Sequence, residues 1–219
     1  MASTSPARKG SSERHRSAWA ATYDRTPFHE LPWYSPDPDP GVVDAVRDGF
    51  LPRGSAVLDI GCGAGSNVLF LARSGLEAHG IDVSPGAIRA AEKRAREAGV
   101  RATFRAGDAL NLREPAGRFA AVTDIGCFHT LPIRRRPEYV AEVARVLGPE
   151  GHYFLSWVAR EHTAERGPPH RPSLAEVADV FEPRFLVIST GFHAPDSERS
   201  LSYYTARMVR RTGPQPPRR

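Results

Sequence analysis

Cysteine is scarce in this sequence: only Cys62 and Cys127 occur in 219 residues. They are far apart and form no C-x-x-C pair, which excludes a disulfide framework and a cysteine-built zinc cluster. His129, His162 and His170 show neither i, i+4 nor H-x-H spacing, a poor basis for a metal site. No apolar run approaches the roughly 18 residues a membrane-spanning helix needs. The start, Met1-Ala2-Ser3-Thr4-Ser5-Pro6, lacks a basic segment followed by an apolar stretch, so it does not read as a secretory signal. No internal repeat is visible. These absences lead us to expect a cytoplasmic protein with no membrane and no metal.

What is present is ordinary globular usage, 40% hydrophobic and 25% charged, in a length that suits one domain. The formal net charge is +5. Much of the excess sits at the ends, on Arg8, Lys9, Arg14 and Arg16, then on Arg207, Arg210, Arg211, Arg218 and Arg219. Charge on tails is mostly solvated, so it argues little for a nucleic-acid partner. Residues 1–16 are rich in Ser, Arg and Lys and are expected to be a disordered tail, as are 212–219. Residues 17–211 form a single expected domain, with 17–50 as a lid region. That region holds a short helix over Ser17–Tyr23 and a proline-rich loop over Phe28–Pro40. An amphipathic helix over Gly41–Phe50 follows, with Val42, Val43, Val46 and Phe50 on one face.

From Ser55 the pattern becomes regular. Strands are expected over Ala56–Ile60, Glu77–Asp82, Ala102–Ala106, Phe119–Asp124, Gly151–Val158, Phe185–Gly191 and Leu201–Val209. Helices are expected over Ser66–Arg73, from the Ser84 cap to Ala98, and over Pro137–Leu147 and Ser173–Phe181. Strands alternating with helices imply an α/β fold, a mostly parallel sheet with helices on both faces.

The strongest chemical signal is Val57-Leu58-Asp59-Ile60-Gly61-Cys62-Gly63-Ala64-Gly65-Ser66-Asn67. A buried strand runs into a G-x-G-x-G turn that opens a helix, and glycines let the backbone approach a ligand closely. Three carboxylates stand at strand ends. Asp59 precedes the loop, Asp82 follows Gly61 by about 20 positions, and Asp108 follows the third strand. Asp82 is placed for a ribose diol. Asp108 is placed for an adenine amino group or, alternatively, as a turn residue. Val83, Ala109 and Leu110 flank the ring position. A pyrophosphate needs backbone N–H groups and no nearby anion, which Asp59 opposes. S-adenosylmethionine (SAM) carries an ammonium and a sulfonium, which a carboxylate favours. Ser66 also stands where the dinucleotide fingerprint needs its third glycine.

Residues 57–67, Gly80-Ile81-Asp82-Val83-Ser84-Pro85 and Gly107-Asp108-Ala109 resemble the successive motifs of class I SAM-dependent methyltransferases. The resemblance implies a Rossmann-like seven-stranded sheet with the last strand antiparallel. It implies a SAM site drawn from Gly61, Cys62, Gly63, Asn67, Asp82, Val83, Asp108 and Ala109. Asp59 would serve the methionine end and Asp124 would border the transferring methyl.

The fourth strand runs out through Thr123-Asp124-Ile125-Gly126-Cys127-Phe128-His129-Thr130-Leu131-Pro132. With Pro32-Trp33 upstream, this run resembles the thiopurine S-methyltransferase-like group of small-molecule methyltransferases. That resemblance implies that the Trp33 ring helps cover SAM, although Tyr34-Ser35-Pro36 departs from the group's usual acidic-glycine run. It makes a small-molecule thiol the first expectation for the acceptor. The alternative is an O-methyltransferase of a hydroxyl, carboxylate or phosphonate. RNA is a more distant rival, because the Asp/Asn-Pro-Pro-aromatic clamp for a flat base is absent. Asp124 and His129 are the candidate catalytic residues. His129 is either the base for a hydroxyl acceptor or a structural histidine. Cys127 reads as packing, and Arg134-Arg135-Arg136 as a solvated face.

Overall fold

A buried parallel sheet needs apolar residues on both of its faces, and the strands of this chain supply them. A computed structural model describes residues 17–159, 170–194 and 202–213. The first described element is α1, residues 17–25. The chain continues through α2 (Pro40–Arg47), β1 (Ala56–Ile60), α3 (Ser66–Arg73), β2 (Glu77–Asp82), α4 (Pro85–Glu97), β3 (Thr103–Ala106) and β4 (Phe119–Ile125). It ends with α5 (Arg136–Val146), β5 (Leu147–Val158), α6 (Leu174–Phe181), β6 (Phe185–His193) and β7 (Tyr203–Arg210). The expected tails over 1–16 and 214–219, and Leu201 as a strand start, lie outside the described residues.

The seven strands form one sheet in the order β3-β2-β1-β4-β5-β7-β6. β1 pairs in parallel with both β2 and β4, while β7 runs antiparallel to β5 and to β6. Alternate side chains serve opposite layers. Leu58, Ile60, Val122, Tyr153, Leu155 and Trp157 pack with Tyr139 and Val143 of α5 and Phe181 of α6. Val57, Ala121 and Phe154 pack on the other face with Val42 and Val46 of α2, Val68 and Leu71 of α3, and Ile88 of α4. The winding direction reverses between β1 and β4, which opens a crevice at their carboxyl ends.

Local chemistry fixes the helix starts. Asp39 accepts from the N–H groups of Gly41 and Val42, with Pro40 as the first helical residue of α2. Ser84 Oγ caps α4 through the N–H of Ala87. Ser173 and Glu176 form a reciprocal capping box on α6. Four strands differ from their expected bounds by one or two residues, and the start of β5 differs by four. β5 begins at Leu147, directly after α5, because Leu147 pairs with Phe119 before a bulge over 148–151. Glu150 sits there in the left-handed region at φ 55. The Gly148-Pro149-Glu150-Gly151 run does mark a turn, but one inside the strand. Among the described residues, no helix is long and apolar enough to cross a membrane.

Candidate functional site

The glycine turn at the tip of β1 is built as its sequence demands. Gly61, Gly63 and Gly65 have φ of 74, 52 and 82. The N–H groups of Gly61 and Cys62 both donate to the carbonyl of Ile81, tying the turn to β2. A Cβ on Gly61 would lie 2.7 Å from that of Cys127, so the turn also packs tightly on the segment after β4. Cys62 is buried against Gly80, whose added Cβ would meet its sulfur at 2.8 Å. Both cysteines are packing residues here, and both are free thiols.

Asp82 ends β2 and braces the turn. Its Oδ2 accepts from the N–H of Gly63 at 3.0 Å and its Oδ1 from Ser84 at 2.9 Å. The backbone N–H of Val83 also donates to this carboxylate, which has about four lone-pair sites and so keeps room for a further donor. Val83 lies beside it, half-buried. Asp59 is 1% exposed and receives one side-chain donor, Thr123 Oγ1 at 2.7 Å. Burial pushes its carboxyl up to about 7. The Thr123 hydrogen bond opposes that shift, while Asp124, Asp39 and Asp82 add to it. Burial also raises Asp39 and Asp82. Three carboxylates, Asp39, Asp59 and Asp82, thus lie close together by the glycine turn, and among the described residues no lysine or arginine pairs with any of them. That donor set fits a ligand carrying an ammonium and a sulfonium, and it opposes a pyrophosphate.

Asp108 lies beyond β3 in a turn. Its Oδ1 accepts from the N–H of Leu110 at 2.9 Å, and its carbonyl accepts from Asn111. The N–H of Gly107 donates to the carbonyl of Asp82, which sets this turn beside the β2 tip. Ala109 and Leu110 are half-buried against the core. Asp108 is therefore a turn residue beside the β2 tip. Asn67 follows the turn as the second residue of α3. Its Oδ1 accepts from the backbone N–H of Asp39 at 2.8 Å, so its side chain pins α2 to α3.

The lid is an aromatic cluster. Trp33 is 48% exposed, packs edge-on against Trp19, and donates from Nε1 to Tyr23 Oη at 3.3 Å. Tyr23, more than Trp33, meets the glycine turn: a Cβ on Gly63 would lie 3.1 Å from its hydroxyl. Burial and the nearby Asp82 charge raise its phenol well above the usual range. Sequence reasoning missed Tyr23. The available signal was the i, i+4 pair Trp19 and Tyr23 on one helix face. It also missed Arg94 of α4, which donates to the carbonyls of Ala64 and Pro36 and to Ser66 Oγ. Arg94 stitches the proline-rich loop to the glycine turn.

At the β4 tip both candidate catalytic residues are held from within the fold. Asp124 is fully buried. Its oxygens accept from the N–H groups of Cys127 and Phe128 and from the Tyr139 hydroxyl. With these donors internal and no exposure, it anchors the turn after β4. His129 is held by a backbone donor: the N–H of Val158 reaches its Nδ1 at 3.2 Å. The imidazole lone pair that a base would use is therefore occupied. Burial and the charges of Arg136 and Arg171 push its pKa down to about 3. Nor is the arginine run a uniform solvated face: Arg135 pairs with Glu138, and Arg136 is 2% exposed. His162 lies outside the described residues, and His170 approaches Glu176 at 3.9 Å. Among the described residues no cluster of three His, Cys, Asp or Glu could hold a metal.

Known proteins share this arrangement. A family model described as "Methyltransferase domain" matches residues 57–151, from β1 into the start of β5. The 2-heptyl-1-hydroxyquinolin-4(1H)-one methyltransferase of Mycobacteroides abscessus is 33% identical over 57% of this chain and 54% of its own. A ubiquinone biosynthesis O-methyltransferase of Ralstonia nicotianae is 33% identical over 67% of this chain and 58% of its own. An uncharacterized methyltransferase of Schizosaccharomyces pombe is 33% identical over 45% of this chain and 68% of its own. The chain thus spans a little over half the length of the first two relatives. A solved structure described as "Conversion of a Disulfide Bond into a Thioacetal Group during Echinomycin Biosynthesis" superposes with a TM-score of 0.77 at 25% identity. It covers 89% of this chain and 91% of that one. With the sheet order, the glycine turn and the strand-end carboxylates all in place, the chain belongs to the class I SAM-dependent methyltransferases.

Proposed function

We propose that this protein methylates a small organic acceptor using S-adenosylmethionine, with oxygen as the acceptor atom. One observation carries the reading: Asp39, Asp59 and Asp82 gather around a left-handed glycine turn, and among the described residues no lysine or arginine pairs with them. When bound, the cofactor supplies an electrophilic methyl group. The chain's own residues do the rest by placement. Asp82 holds the ribose hydroxyls, Asp59 draws the ammonium, and Tyr23 with Trp33 covers the turn. Val83, Ala109 and Leu110 flank the nucleobase, with Asp108 at its rim. Orientation of this kind is worth roughly 7–11 kcal/mol in favourable cases.

The oxygen acceptor is supported by the relatives, which include a ubiquinone biosynthesis O-methyltransferase and a hydroxyquinolone methyltransferase. A thiol acceptor remains the second reading. It is favoured by the Pro32-Trp33 element and by the likeness to a protein described as converting a disulfide into a thioacetal. The acid lining opposes an RNA substrate, since phosphates would meet like charge. Two free thiols fit a reducing compartment, and we place the reaction in the cytoplasm. An activity screen tests this directly. Incubation with SAM and a panel of phenols, hydroxamic acids, carboxylates and thiols should release S-adenosylhomocysteine with an oxygen acceptor. Release with thiols alone would favour the second reading. Release with none of them would reject small-molecule methylation.

A further inference from the structure

His129 stands at the end of β4 with its two ring nitrogens in different circumstances. Nδ1 accepts the N–H of Val158, so in the neutral ring the proton sits on Nε2. Among the described residues Nε2 has no hydrogen-bond partner, and the residue keeps 8% of its surface exposed. Behind the ring lies Arg136, the first residue of α5. Its guanidinium donates to the His129 carbonyl at 3.1 Å and lies over the Phe128 ring at 4.8 Å. Its Nε is buried without a partner. Among the described residues no carboxylate reaches ion-pairing distance of Arg136. The nearest acidic influence on it is Glu176 of α6. A buried cation lacking a counter-ion is costly, and it places positive potential where an incoming anion would be stabilised.

We propose that His129 is a hydrogen-bond donor to an acceptor that enters already ionised, with Arg136 as the positioning residue that holds the ring and supplies the field. This rests on the methyltransferase reading above and names its substrate class: small acids with an ionisable O–H or S–H, such as acidic phenols, hydroxamic acids or thiols. The electron account closes without a base. The acceptor's lone pair forms the bond to the methyl carbon, the carbon–sulfur bond breaks, and its pair stays on sulfur. An anion and a sulfonium become two neutral products, and no proton leaves during the step. The charged groups facing the imidazole, Arg136 from α5 and Arg171 from the segment before α6, are both basic. They oppose an imidazolium, so the ring neither takes up a proton at neutral pH nor needs to.

The test has two arms on the full-length protein saturated with SAM. Nitrogen-15 NMR of the imidazole should show a neutral ring protonated on Nε2 that does not titrate between about pH 5 and 8. A ring protonated on Nδ1, or titrating near neutrality, overturns the proposal. In the Arg136→Met variant the His129 titration should move upward, and Arg136→Lys should restore it. A shift in neither would remove Arg136 from the account.

The second arm compares acceptors graded in acidity with neutral aliphatic alcohols. Turnover should be confined to the ionisable acceptors, and the rise of kcat/KM with pH should follow each acceptor's own pKa. His129→Gln, which keeps a donor, should stay within about tenfold of wild type, whereas His129→Ala should lose about 100-fold. Equal losses in the two variants, or one pH limb shared by all acceptors and abolished by His129→Gln, would establish a base instead. Calorimetry with SAM on the same variants separates failures. Absent SAM binding condemns the methyltransferase reading itself. Intact SAM binding without turnover of any ionised acceptor condemns only this inference.

Discussion

Asp59 shows how one residue can link folding to ligand charge. Its carboxyl ionises near its ordinary value in the unfolded chain and at about 7 when folded. Between those limits the folded state holds more protons, so the unliganded protein should lose stability as pH rises toward 7. A bound ammonium favours the ionised form and reverses the trend: SAM affinity should climb as pH rises to about 7 and level off above it. Calorimetric titrations across that range, with Asp59→Asn flattening both trends, check the prediction. We propose that Asp82 holds the nucleoside, so Asp82→Ala should weaken SAM binding by about 100-fold. That loss corresponds to charge-assisted hydrogen bonds of about 1.5–3 kcal/mol. Asp59 and Asp82 were legible because a strand end and its spacing place them. His129 was not, because the N–H that occupies Nδ1 comes from Val158, a contact that β4–β5 pairing creates and local sequence does not encode.

At the scale of elements, the glycine turn and its lid are the parts most exposed to substitution. Gly61→Ala must hold φ 74 and also displace Cys127, whereas Gly49→Ala at φ 83 meets nothing within 4 Å. Gly61→Ala should therefore cost about 1–3 kcal/mol more than Gly49→Ala in urea unfolding. Arg94→Ala should release the proline-rich loop from the turn and raise the SAM dissociation constant about tenfold, with a smaller effect on unfolding. Equal effects on both would mean that Arg94 only supports the fold. Most elements were readable from their apolar period and their caps, Ser84 and Ser173 among them. The start of β5 was not, because Leu147 joins the sheet before a turn-like bulge and only its pairing with Phe119 reveals it. Tyr23 was also hidden. Its meeting with Gly63 depends on how α1 docks across the sheet tip, and the Trp19 and Tyr23 pair marks only a shared helix face, not what that face meets.

Across the whole molecule, the reversal between β1 and β4 gathers residues from distant parts of the chain into one acid-lined crevice. Alternating strands and helices announce such a sheet, and the strand-end aspartates announce where it binds. The family match ends at residue 151, inside β5, so β6 and β7 lie outside it. Charge at the whole-chain level misled less than it could have, because the net +5 coexists with a local cluster of carboxylates. A ligand of that crevice should stabilise the entire domain by mass action, about 2.7 kcal/mol at 100 times its dissociation constant. The most direct measurement is a calorimetric titration of the full-length protein with SAM and, separately, with NAD. Saturable one-to-one binding of SAM, lost in Asp82→Ala, with no heat from NAD, is the expected result. Binding of NAD in place of SAM, or SAM binding untouched by Asp82→Ala, would contradict it.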